Sequence, residues 1–265
     1  MKLCRFDLAD SPGTARSGIM HGGKVYETDG TAPVAVHEWT DARLLSPIGR
    51  APTVRMFSAA RPAFADWIEA ESGTAPPAFS YLNPVLMSGP RSVLPEFPLS
   101  SEISVKACVG AVVGEAGRGI APSEADAHVL GLTLALVFFA ADLERDELAR
   151  GLGPTRSHDA GIVVGPALTT PDELDGVATA TEFGKRYDLK VALQVAGEDV
   201  GSFELAEAPW TLAELVAAAS ASAAVEPGEL ILAALGASVA GEWISPGAEL
   251  RLSTDLLGNL LCRYG

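Results

Sequence analysis

The 265-residue chain has little of what usually announces a function. Its three cysteines, Cys4, Cys108 and Cys262, are scattered and odd in number, so neither a disulfide framework nor a paired-cysteine metal site is expected. Cations are scarce: 19 Lys and Arg against 34 Asp and Glu give a formal charge of -15. With no local basic cluster, that balance argues against nucleic acid as a partner. The longest apolar run, VLGLTLALVFFAA from Val129 to Ala141, falls short of the roughly 18 to 20 residues that cross a bilayer. It reads as a buried strand, and no membrane association is expected. The N-terminus MKLCRFDLAD is charged and alternating, without an apolar signal core, so the cytoplasm is the expected compartment. There is no P-loop, dinucleotide fingerprint, GxSxG elbow, CxxC pair or HExxH. The four histidines, His21, His37, His128 and His158, lie far apart.

What is present is a chain with 48% hydrophobic residues, enough for a proper core, and many strand-like segments punctuated by Gly and Pro. A small β-rich N-terminal domain is expected over 1–52, with MKLCRF and GGKVYET as strands. A larger domain is expected over 53–265, introduced by a Pro-rich connector. Its strands are SVKACVGAVVG, HVLGLTLALVFFA, AGIVVGPAL, DLKVALQVAGEDV, GELILAAL and AELRLSTD. One helix is well marked in TLAELVAAASASAAV: Thr211 caps it, Glu214 completes a capping box, and Leu212, Leu215, Val216 and Ala219 form one apolar stripe. A second helix is expected to begin at Ser123, and the acid-rich run DLERDE from Asp142, like Glu115, reads as a solvated face.

The stretch SVKACVGAVVGE poses the functional question. Val105, Ala107, Val109, Ala111 and Val113 share one face, and Lys106, Cys108, Gly110 and Val112 the other. A solvent-facing strand would carry several polar residues on that second face and a fully buried one none. A lone cation beside a thiol suggests the wall of a cavity.

Several segments in order resemble the fumarylacetoacetate hydrolase superfamily. GEAGRGIAPSEADAHVLGLT is similar to its strand, turn and "V-x-G-Y-T" strand, and RSHDAGIVVGPALTTPDEL to its "K-S-F-D-x-F-x-P-x-G-P" segment. VALQVAGEDV is similar to its "V-N-G-E" hairpin, and ISPGAELRLSTDLLGNLLCRYG to its C-terminal signature. The resemblance implies an α+β, β-rich fold: a mixed β-sheet roll with a small N-terminal β domain, assembled as a homodimer. It also implies chemistry on β-dicarbonyl and 2-oxo acid compounds through a divalent ion, held by an "E-x-E" on one strand and an Asp on the next.

The matched ligand positions hold Lys106, Cys108 and Val137, so all three oxygen ligands are replaced and no metal or cofactor is expected. The departures continue with Arg156 at the family's Lys, Leu235 near its Thr and Ala196 at its Asn, and SAARPAFAD lacks the histidine of the "N-Y-x-x-H" region. An ammonium and a thiol in place of two carboxylates turn a cation cradle into a site for a carboxylate or enolate. Lys106 and Arg156 are therefore expected to carry the chemistry, and Cys108, Val137, His158, Tyr81 and Leu235 to line the substrate site. Each has a plainer alternative: Cys108 as an inert small hydrophobe, Lys106 paired with a buried carboxylate, Arg156 and His158 as solvated loop residues. Two functions follow. One is a metal-independent isomerase, cyclase or lyase of biosynthetic metabolism acting on an oxo-acid or polyketide-like small molecule. The other is a catalytically silent homologue that binds a ligand or partners another enzyme.

Overall fold

This computed structural model describes residues 1–58, 77–237 and 243–265. The N-terminal strands β1 (Lys2–Leu8), β2 (Ser11–His21), β3 (Lys24–Thr28), β4 (Pro33–Glu38) and β5 (Ala42–Leu45) are followed by β6 (Val54–Ser58), β7 (Phe79–Leu82), β8 (Met87–Ser88) and β9 (Val93–Leu94). The long strands β10 (Ile103–Val113), β11 (Val129–Ala140) and β12 (Gly161–Thr169) come next. They are succeeded by β13 (Ala178–Thr181), β14 (Gly184–Tyr187), β15 (Lys190–Val195), β16 (Glu198–Glu204), β17 (Leu230–Ala237), β18 (Glu249–Thr254) and β19 (Gly258–Tyr264). Two α-helices are described, α1 (Ala141–Ala149) and α2 (Leu212–Ser222).

A 12-stranded mixed sheet runs in the order β4-β3-β2-β1-β12-β11-β10-β17-β6-β7, with β5 beside β1 and β8 beside β12. A second, five-stranded sheet runs β16-β15-β18-β19-β9. The N-terminal meander has its own small core of Cys4, Phe6 and Val25. It joins the large sheet through a short β1–β12 ladder, Lys2 opposite Thr169 and Leu3 opposite Leu168.

Strand β10 lies near the centre of the large sheet, paired with β11 on one side and β17 on the other. Its alternation sorts side chains into two cores, as the period-two pattern requires. Val105, Ala107, Val109, Ala111 and Val113 enter the main core, with residues of α2 and of the second sheet. Cys108 and Val112 enter a smaller cluster on the opposite face, with Val137, Ile162 and Val164.

Helix α2 has the expected capping box, Glu214 N–H donating to the Thr211 hydroxyl and Thr211 N–H donating to the Glu214 carboxylate, and its expected apolar stripe is buried. From Ser123 the chain forms only a short 3-10 segment, Ala125–His128, because β11 begins directly after it. The apolar run ends in the unforeseen helix α1, which follows β11 without an intervening residue. Residues 59–66, in which the family's histidine region falls, lie outside the described residues.

Candidate active site

Lys106 sits on β10 directly opposite Val137 on β11, so both side chains leave the same face of the sheet. The Lys106 ammonium, on a side chain 19% exposed, donates to Glu144 Oε1 at 2.7 Å. It lies 3.1 Å from His158 Nε2 and 4.4 Å from the centre of the Phe139 ring. His158 Nε2 is itself 2.8 Å from the same Glu144 oxygen, and its ring stands edge-on to Phe139. Three elements therefore meet at one carboxylate oxygen: a strand brings the ammonium, α1 the carboxylate, and the 3-10 turn Arg156–His158 the imidazole.

The hydrogen-bond pattern fixes the proton on the imidazole. Nδ1 of His158 is buried with no partner among the described residues, so a proton there would be a stranded donor. The neutral tautomer with N–H at Nε2 donates to Glu144 and leaves Nδ1 bare; on this assignment the 3.1 Å contact with Lys106 is two donors converging on one acceptor. Burial lowers the His158 pKa, and the Lys106 charge adds to this, against the opposing hydrogen bond and charge of Glu144. For Glu144, burial pushes upward. The His158 hydrogen bond and the Lys106 charge and hydrogen bond outweigh it and hold the carboxyl at about 2.

A second carboxylate fixes the turn. Buried Glu147, also on α1, accepts from Thr155 N–H and hydroxyl (2.9 and 2.6 Å), Arg156 N–H (3.0 Å), and Ser157 N–H and hydroxyl (3.4 and 2.6 Å). Burial would raise its pKa; the Ser157 and Thr155 hydrogen bonds reverse that and bring it to about 2. The DLERDE run is therefore not a uniformly solvated face, since two of its acids are drawn in to build the site.

The sequence-predicted residues divide. Lys106 and His158 come together, with His158 nearly fully buried at 2% exposure and not a solvated loop residue. Val137, opposite Lys106 in the ladder, is fully buried in the smaller core and does not line an open site. Cys108 is fully buried on the same face, and burial pushes its thiol up to about 12 despite the Lys106 charge, which makes it inert packing. Arg156 is exposed and contributes its backbone N–H to Glu147. Tyr81 is 57% exposed on β7, beside Phe79 and Arg55. Leu235 lies in the main core, on the other side of the sheet from Cys108. The ladder passes from Ala107 opposite Gly236 to Cys108 opposite Ala234, so Leu235 is a bulge residue and the parity of β17 changes there.

The family model for the fumarylacetoacetate (FAA) hydrolase C-terminal domain matches residues 63–263. The chain belongs to the fumarylacetoacetate hydrolase family. The human mitochondrial oxaloacetate tautomerase FAHD2A is 29% identical over 140 residues, 53% of this chain and 41% of that protein, so the match spans about two fifths of that relative's length. An uncharacterized protein of Pyrococcus abyssi is 24% identical over 166 residues, 61% of this chain and 69% of that protein. Among solved structures, a 2-hydroxyhepta-2,4-diene-1,7-dioate isomerase from Mycobacterium marinum superposes with a TM-score of 0.80 at 20% identity, covering 100% of this chain and 98% of that one. A fumarylacetoacetate hydrolase from Exiguobacterium antarcticum gives 0.81 at 20% identity, covering 100% and 99%. These likenesses show a fold of the family type.

The donor set does not fit the divalent ion that the family resemblance implies. The three matched positions present an ammonium, a thiol held protonated by burial, and a valine. Among the described residues no three His, Cys, Asp or Glu side chains gather in a way that could hold a metal. Among the described residues, too, no helix is long and apolar enough to cross a membrane, which leaves strands aside.

Proposed function

We propose that the chain is a metal-independent enzyme of the isomerase or tautomerase kind acting on a small oxo-acid, with Lys106 in the charge role of the family's cation. The observation that carries this reading is the convergence of Lys106 and His158 on Glu144. Lys106 and Glu144 are partly exposed and His158 is not, so the first two meet the substrate and His158 positions Glu144. A substrate carboxylate or carbonyl oxygen takes the ammonium. That removes from Glu144 one of the two partners that hold its pKa low, and its basicity rises. Glu144 then accepts a proton from the carbon beside the carbonyl, the electron pair moves to the carbonyl oxygen beside Lys106, and return of the proton to that oxygen or to another carbon completes the isomerisation. Atoms and charge balance without a further reactant. Cys108 and Val137 fill the apolar core on the same face of the sheet, with no exposed surface of their own. The same reading takes 53–265 as the unit that carries the site and pairs two copies into a homodimer, with 1–52 as an accessory unit. Sedimentation returning a monomer at micromolar concentration removes the pairing.

The test is keto–enol exchange of small 2-oxo diacids, oxaloacetate first, followed by ultraviolet absorbance on protein stripped with EDTA. Turnover is expected without added metal, and Lys106→Ala is expected to lower it by roughly 1.5 to 3 kcal/mol, about tenfold to 150-fold, the range for a charge-assisted hydrogen bond. A rate that appears only with added magnesium or manganese, or that survives in Lys106→Ala, overturns the proposal. One observation favours the silent-homologue reading: Lys106 is already neutralised by Glu144. Oxo-acid binding with no exchange at any concentration decides for it.

A further inference from the structure

A cleft of about 350 Å³ lies where the N-terminal meander meets β12, β18 and β19, lined by a set of residues that does not overlap the Lys106 cluster. Trp39 contributes an aromatic wall, Pro90 and Pro166 an apolar one, and Arg91, Arg251 and Asn259 polar heads. The prolines are seated on glycines. A Cβ on Gly165 would come within 2.7 Å of the Pro90 ring, and one on Gly258 within 3.1 Å of Pro166, so this lining is closely built.

Two observations bear on the cations here. Arg91 and Arg251 are exposed, and among the described residues neither has an ion pair or a side-chain hydrogen bond, as is also true of Lys2, Arg50, Arg118, Arg156, Lys190 and Arg263, so both are free to take a ligand. Arg91 also holds a left-handed backbone, φ 61, which costs a non-glycine residue about 1 to 2 kcal/mol, and its N–H is tied to the Leu261 carbonyl at 2.6 Å. Glycine would sit there without strain, so the position retains a guanidinium where the backbone favours none. Two unpaired planar forks and an amide suit a carboxylate, the indole and prolines suit an apolar body, and the volume lies near the lower end for small-molecule sites.

We propose that this junction cleft is a second binding site, for a small organic carboxylate with an apolar body, independent of Lys106. Calorimetry on the full chain with phenylacetate as the probe tests it. Saturable millimolar binding is expected. Arg91→Gln and Arg251→Gln should each weaken it about tenfold, as should replacing the probe by neutral phenylacetamide, while Lys106→Ala leaves it unchanged. Arg91→Gly supplies the control for folding: it should melt no lower than the parent, since glycine suits φ 61, and yet bind about tenfold more weakly. The proposal is overturned by absence of saturable binding, by binding that persists in the Arg91→Gln, Arg251→Gln double variant, or by binding lost in Lys106→Ala. Inorganic phosphate binding as tightly as phenylacetate overturns the requirement for an apolar body.

Discussion

Helix α1 carries two carboxylates one turn apart, both held at about 2, and their surroundings differ in kind. Glu147 is 4% exposed and takes five hydrogen bonds from the backbone and hydroxyls of a single turn. Glu144 is 19% exposed and takes two, from a flexible ammonium and an imidazole. A depressed pKa alone therefore does not tell a structural acid from a reactive one. The identity of the donors does: backbone N–H groups fixed by a turn cannot be exchanged for a substrate, whereas a lysine ammonium can.

The sharpest way to break this contrast is to remove each acid. Glu147→Leu strands the Thr155 and Ser157 donors and should cost about 3 kcal/mol in urea unfolding, whereas Glu144→Gln, at a mostly buried ion pair where the amide oxygen can still accept from Lys106 or His158, should cost less, about 1 to 2 kcal/mol. Equal losses would erase the distinction between the two acids. Acid titration adds a second cut. A carboxyl whose folded pKa lies below its unfolded value of 4.5 contributes stability that is whole above 4.5 and lost as pH falls towards 2. The stability gap between the parent and Glu147→Gln, followed by melting, should accordingly close across that window.

His158 sharpens the Glu144 side. Its folded pKa lies below the ordinary 6.5, so the unfolded chain binds the proton first and stability falls as pH drops through 6.5. The parent should lose stability between pH 7 and 5 in a way that His158→Gln does not, and identical slopes in melting curves would show that the imidazole is not held neutral. The smallest effect calibrates the rest from a departure that is purely conformational. Ala196, at the family's Asn position, has φ 51 and is followed by Gly197 at φ 87 in the β15–β16 turn. Ala196→Gly should raise stability by about 1 kcal/mol at most. A loss would give that position a role beyond the turn.

The sheet was legible because burial on two faces leaves a periodic signature: the alternation from Val105 to Val113 and the Thr211 to Glu214 box both appear as read. The lysine was legible too, as a charge on a face otherwise apolar. Its partner was not. Glu144 and Glu147 lie in an acid-rich run that resembles any solvated helix face, and what draws them in is a turn whose donors carry no one-dimensional pattern: Thr155 and Ser157 lie eight and ten residues beyond Glu147, and His158 fourteen beyond Glu144. Within that turn, Arg156 is exposed while Ser157 and His158 are buried, an ordering that only its 3-10 geometry decides. Leu235 was placed only by its match to the family's Thr; its own alternation with Ile231 and Ala233 already sets it on the main-core face.

The acidic half of the site, 141–158, is an excursion from the end of a hairpin, for β11 and β12 pair directly beneath it with Val137 opposite Ile162 and Phe138 opposite Gly161. The pairs of that ladder all lie outside the excursion. The surroundings of the lysine are thus carried by a connection and not by the sheet, so a change of sequence within 141–158 that keeps the Glu147 turn alters the lysine's partners without altering a strand.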